Sequence, residues 1–182
     1  DRVVFQIEYF PPEWIAAHTQ VRFDLKEPIV LVGQNEDNLG KLELIDSLLI
    51  SFEANPHVDG PGYGLLKGQM RFFSLTARIA STLFSYEHIV VRQNHDHDQL
   101  ELKLSESQEQ EVFWKLLARA DRNKNNTEMY LTIGRNCTSE PFKVIDEVVG
   151  IDRRLSEKLG EALPAFSKDL LYKRGLVRSE LP

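Results

Sequence analysis

Leu65-Leu-Lys-Gly-Gln-Met-Arg-Phe-Phe-Ser-Leu-Thr-Ala-Arg-Ile-Ala-Ser-Thr-Leu-Phe-Ser85 is the most strongly patterned stretch of the chain. Leu66, Met70, Phe73, Ala77, Ala80 and Phe84 recur at steps of four and three, which is one face of a helix. Leu65, Phe72, Ile79 and Leu83 widen that face to about half the circumference. The spacing predicts a long central helix.

On its N-terminal side, Asn55 to Gly64 holds three Gly and two Pro and reads as a loop. Leu42, Ile45, Leu48, Leu49 and Phe52 follow helical steps, with a strand through Leu42 and Leu44 as the alternative. Val3, Phe5, Ile7 and Tyr9 alternate as a strand does, and Pro12 can open a short helix through Trp14 and Ala17. Val21, Phe23 and Leu25 alternate with charged residues, predicting a strand with one wet face. Ile29 to Val32 is continuously apolar and predicts a strand covered on both sides.

On its C-terminal side, His88–Arg92 and Leu100–Leu104 read as a hairpin around a polar turn. Ser105 and Gln108 form a capping box for a helix through Val112, Phe113, Leu116, Leu117 and Ala120. Trp14 and Trp114 fall on apolar patterns and are expected in the core. Met129 to Ile133 reads as a strand. After Cys137 only helices are expected. One is capped by Ser139 and ends at Gly150, a second is capped by Asp152, and a short third ends at Gly175.

This order lacks strict β-α alternation. It predicts an α+β fold: an antiparallel or mixed sheet of about five to six strands, a long central helix and an all-helical C-terminal segment. Residues 1–136 are read as the α+β core and residues 137–182 as a helical segment packed on the same domain.

A chain of 182 residues with 42% apolar and 27% charged residues has enough core to fold without disulfides or metal. Its net charge of −6 argues against broad nucleic-acid binding. No apolar run approaches the ~20 residues of a membrane span. With one cysteine, Cys137, the chain forms no internal bridge, and the simplest expectation is a reducing, cytoplasmic setting. The chain begins at Asp1, not Met, so a removed export segment stays compatible with it.

Four motifs bear on chemistry. Gly33-Gln-Asn-Glu-Asp-Asn-Leu-Gly40-Lys41 resembles the phosphate loop of chromosome-maintenance-type ATPases. Its glycines are seven apart instead of five, and Leu42 replaces the hydroxyl residue. His95-Asp96-His97-Asp98 carries imidazole and carboxylate suited to zinc, manganese or iron, with His95, His97 and Asp98 as candidate ligands. A closed site needs further ligands, which His57, His88 and Asp59 supply only if the fold brings them near. Asp59 to Gly64 leads into Lys67, Arg71 and Arg78, which reads as an anion site or a solvated face. Val148-Val-Gly-Ile-Asp152 resembles the helix-hairpin-helix of DNA-repair proteins, with Arg153 and Arg154 beside it and Asp152 in place of the second glycine.

No catalytic constellation is complete, and a lone Cys137 reads as a packing residue. The leading expectation is therefore a non-catalytic protein-interaction module such as an immunity protein or antitoxin. Its carboxylates Glu36, Asp37, Asp96 and Asp98 would meet a basic protein partner. No cofactor is called for. The alternatives are a metal- or phosphate-dependent hydrolase using the His95–Asp98 turn, and nucleic-acid binding through the C-terminal helices.

Overall fold

A computed structural model describes residues 2–10, 16–33, 37, 39–56, 70, 72–86, 95–125, 128–152 and 163–182. Six strands form one antiparallel sheet: β1 (Arg2–Tyr9), β2 (Ala17–Val32), β3 (Leu42–Pro56), β4 (Phe73–Ser81), β5 (His97–Leu102) and β6 (Val177–Leu181). Their order across the sheet is β4-β3-β2-β1-β5-β6. The helices are α1 (Thr82–Tyr86), α2 (Glu106–Arg122), α3 (Ser139–Val149) and α4 (Ser167–Lys173).

The α+β class and the antiparallel sheet agree with the sequence pattern. The long central helix does not. Phe73–Ser81 is strand β4, paired with β3 from Leu48↔Ser81 to Pro56↔Phe73. The physical reason lies in the same residues. Phe73, Leu75, Ala77 and Ile79 alternate with Ser74, Thr76, Arg78 and Ala80, a period of two that the helical count overlooked. Leu42–Pro56 likewise takes the strand alternative.

Two further expectations are corrected. The C-terminal segment is not all-helical, because β6 closes the sheet against β5. Met129–Ile133 is no regular strand; it makes only the isolated bridges Ser74↔Met129 and Leu131↔Arg135. The second C-terminal helix after Asp152, the Pro12–Trp14 turn and the His88–Arg92 strand lie outside the described residues.

Alternation divides the sheet into two faces. Val3, Phe5, Ile7, Val21, Phe23, Ile50, Phe52 and Leu100 are buried on one face. The two long helices pack there. Phe142 of α3 lies 5.3 Å from Phe5, and Phe113 of α2 meets Phe23 edge-on at 5.0 Å. The opposite face is polar, with Gln6 and Glu8 of β1 set against Gln20 and His18 of β2 in register. Trp114 is 66% exposed, not in the core. The inward stripe of α2 is Val112, Leu116 and Ala120, and Trp114 is turned about 200° from Val112.

Ile29–Val32 is also exposed where cover was expected. β1 reaches β2 only as far as Arg2↔Asp24. Beyond the irregularity between Asp24 and Ile29, β2 pairs with β3 and projects as a two-stranded arm.

Local chemistry explains the helices that were read correctly. Ser105 Oγ accepts from Gln108 N–H at 3.3 Å, and Gln108 Oε1 accepts from Ser105 N–H at 2.9 Å. This capping box satisfies two free amides of α2. Gly150 ends α3 at φ 73°, a left-handed conformation that favours glycine.

Candidate functional site

The start of α3 is built by Asn136. Glu140 N–H bonds to Asn136 C=O at 3.3 Å, the first helical bond, so Asn136 is the effective cap and Cys137 falls in the first turn. Pro141 has no N–H to give Cys137 C=O, which delays the regular helix to Ser139. Ahead of the cap, Leu131 and Arg135 exchange backbone bonds of 2.8 and 3.2 Å around Gly134, which adopts φ 99°. The thiol is thereby fixed at the positive end of a helix.

The sheet opens to receive it. The β2–β3 ladder ends at Gln20↔Ser51, although β2 begins at Ala17 and β3 runs on to Pro56 with β4. Beyond that point the Thr19 backbone is among the groups that favour the Cys137 thiolate. Thr19 Oγ1 and Thr138 Oγ1 share a hydrogen bond of 3.2 Å. Cys137 is 3% exposed. Thr138 Oγ1 lies 3.8 Å and Tyr130 Oη 4.0 Å from its sulfur.

The His18 imidazole of β2 stands close enough to the Cys137 thiol for each to act on the other's acidity. Its Nε2 lies 3.8 Å from Oε1 of Glu53, and 19% of its side chain is exposed. That separation exceeds a direct hydrogen bond, so Glu53 acts on the imidazole through its charge. Glu53 is itself held by Ser51 Oγ at 2.9 Å and Arg78 Nε at 2.7 Å.

The electrostatics follow from these contacts. Burial is the largest influence on Cys137 and pushes the thiol up. The bond and charge of His18, the Thr19 N–H and the Thr138 hydroxyl outweigh it and bring the thiol down to about 7. Burial is also the largest influence on His18 and pushes it down. The Cys137 bond and charge, with Glu53, prevail over burial and over Arg78, and the imidazole is raised above its ordinary value. The pair thus favours thiolate and imidazolium.

A cavity of about 380 Å³ opens on the polar sheet face, lined in part by Gln6, Glu8, Gln20, Arg22, His97 and Gln99. Glu8 is the register partner of His18, but neither His18 nor Cys137 lines this cavity.

The residues singled out in the sequence do not converge. His95 Nδ1 bonds to Glu8 Oε1 at 2.6 Å. Asp98 accepts from Tyr9 Oη at 2.7 Å and Lys168 Nζ at 3.2 Å. Burial first, then Asp98, holds the Tyr9 phenol well above its ordinary value. His97 and Asp96 are exposed. Among the described residues no three metal-capable side chains come together. His57, Asp59 and His88 lie outside them, as do Glu36, Lys67, Arg71, Arg153 and Arg154.

Asp37 is exposed at the tip of the β2–β3 arm, while Asp96 lies at the Tyr9 end of β1, the other end of the sheet. The phosphate-loop resemblance is corrected. Gly33 N–H bonds to Lys41 C=O at 2.9 Å and Gly40 N–H to Gly33 C=O at 3.0 Å, closing a hairpin that leads into a strand. Arg78, read as part of an anion site, holds Glu53 instead.

Sequence reasoning passed over His18 and Glu53 and assigned Cys137 to packing. One local signal was present: Asn136 and Ser139 around Cys137 have the spacing of a helix cap, which places a thiol at a helix start.

The model of the Lnb N-terminal periplasmic domain family matches residues 2–172. No curated protein matches the chain, and no solved structure does. The periplasmic description overturns the cytoplasmic expectation. A lone cysteine has no partner within the chain in any compartment, so its count carried no information on location. Among the described residues, no helix is long and apolar enough to cross a membrane.

Proposed function

Because the chain belongs to the Lnb N-terminal periplasmic domain family, its chemistry is to be sought outside the cytoplasm, and we propose that it is an acyl-transfer enzyme with Cys137 as nucleophile. The observation that carries this reading is a buried thiol in the first turn of α3 with the His18 imidazole beside it. The same logic of nucleophile, base and orienting group serves acyl transfer on unrelated folds.

The thiolate of Cys137 adds to the carbonyl carbon of an ester, thioester or amide. The tetrahedral adduct collapses, and the leaving group departs with the proton held by His18. A thioester on Cys137 remains. Water or a second nucleophile then gives its proton to His18 and takes the acyl group, restoring the thiol. Glu53 stabilises the charged imidazole.

The test is acylation by p-nitrophenyl acetate, read by intact-protein mass spectrometry. One acetyl group on Cys137 is expected, formed at least tenfold faster than in His18→Ala and absent in Cys137→Ser. Equal rates in wild type and His18→Ala would sink the proposal.

The interaction-module reading, with an immunity protein or antitoxin as its finer form, requires carboxylates that share a surface. Asp37 and Asp96 lie at opposite ends of the sheet, and Asp98 is engaged by Tyr9 and Lys168. The hydrolase reading lacks a ligand set among the described residues. The Cys137–His18 pair is the better supported basis for a function.

A further inference from the structure

We propose that Asn136 is a positioning residue for the Cys137–His18 pair, a side chain that locks the cysteine into the first turn of α3 and directs its sulfur to donors other than the helix amides. The inference rests on the nucleophile reading of Cys137.

Asn136 is buried and bonded on every side. Its Oδ1 accepts from Thr138 N–H at 3.0 Å and from Ser139 N–H at 2.7 Å. Its Nδ2 donates to Thr132 C=O at 2.6 Å. Its own N–H donates to Ser139 Oγ at 2.9 Å. Ser139, three residues on, therefore returns the cap, as in a capping box. One carboxamide ties the turn before Cys137 to the helix after it.

The consequence for chemistry is specific. In many helix-start cysteines the first free amides face the sulfur or the oxyanion. Here the amides of Thr138 and Ser139 are occupied by Asn136. The sulfur is left to Thr19 N–H, Thr138 Oγ1, Tyr130 Oη and His18. All four depend on where Cys137 stands relative to β2 and the turn. Loss of the carboxamide frees Cys137 to rotate with the fraying end of α3, and the His18 bond weakens.

Thiolate absorbance at 240 nm tests this directly, since Cys137 is the one cysteine in the chain. The titration needs no reagent to reach the sulfur. Wild type is expected to titrate with a midpoint near 7. Asn136→Ala should raise the midpoint by about one unit, which lowers the thiolate fraction at pH 7 about fivefold. Asn136→Ser keeps a capping oxygen and should fall between the two, and it serves if the alanine variant folds poorly. Gly150→Ala loosens the other end of the same helix and should leave the midpoint within about 0.2 unit. A purely structural role would move Gly150→Ala and Asn136→Ala alike. Folded Asn136→Ala or Asn136→Ser with an unchanged midpoint overturns the proposal while the nucleophile reading survives. A wild-type midpoint near 9 removes both.

Discussion

Replacing Arg119 by Ala severs the tie between α2 and the helix that carries Cys137. Arg119 Nε donates to Glu140 Oε2 at 2.6 Å, and its two terminal nitrogens donate to Glu128 at 2.7 and 3.0 Å. The Arg119 side chain is 11% exposed and that of Glu140 only 2%. The guanidinium also lies 5.7 Å from the centre of the Phe52 ring. Breaking a buried pair from one side costs about 3–5 kcal/mol, because the remaining charge stays desolvated. Lys143 still contacts Glu140 from the solvent side, so the expected loss lies at the lower end, about 3 kcal/mol. For a domain of this size that lowers Tm by roughly 6–12 °C. Urea unfolding followed by circular dichroism measures it. Replacing both partners, Arg119→Met with Glu140→Leu, should recover much of the loss, since no charge is then left buried. If Arg119→Ala costs under about 1 kcal/mol, the pair behaves as an exposed one and the reasoning fails.

Three other outcomes are expected. His18→Ala removes the bond and charge that oppose burial at Cys137, so the thiol midpoint should climb from about 7 to above its ordinary value of 9.0; a midpoint still below 8 would show that His18 is not the cause. The folded thiol is depressed, so its stabilising contribution is full above the unfolded value near 9.0 and is lost as pH falls through about 7. His18 is raised by the same pairing and its contribution runs the opposite way, being lost as pH rises, so the stability of wild type relative to Cys137→Ser should change little between those pH values; a steep slope in urea midpoints would contradict a thiolate–imidazolium pair. Lys26→Ala removes an exposed contact to Glu106 and should leave the thermal midpoint essentially unchanged, whereas a clear drop on melting would mean the arm is anchored there.

The helices were legible where their signals are local. The Ser105–Gln108 box, the Val112–Leu116–Ala120 stripe and the Gly150 stop each lie within a few residues, and each was read from the chain. β4 was misread for a related reason. A stretch holding both a period of two and steps of three and four is settled by what it pairs with, and the partner, β3, lies outside the stretch. The exposure of Ile29–Val32 is similar: continuous apolar residues do not reveal that the pairing of β2 with β1 stops at Asp24.

What the amino-acid sequence determined by itself was the class, α+β with an antiparallel or mixed sheet, together with the position of helix α2 and the C-terminal limit of α3. Only the tertiary structure decided the candidate site. Cys137 belongs to a helix start near the C-terminal third and His18 to a strand near the N-terminus, and no local pattern links them. They meet because β2 and β3 part beyond Gln20↔Ser51 and the turn before α3 fills the opening. The acidity of a thiol depends on the charges and dipoles around it, and those neighbours are assembled by strand register and helix packing, not by proximity along the chain.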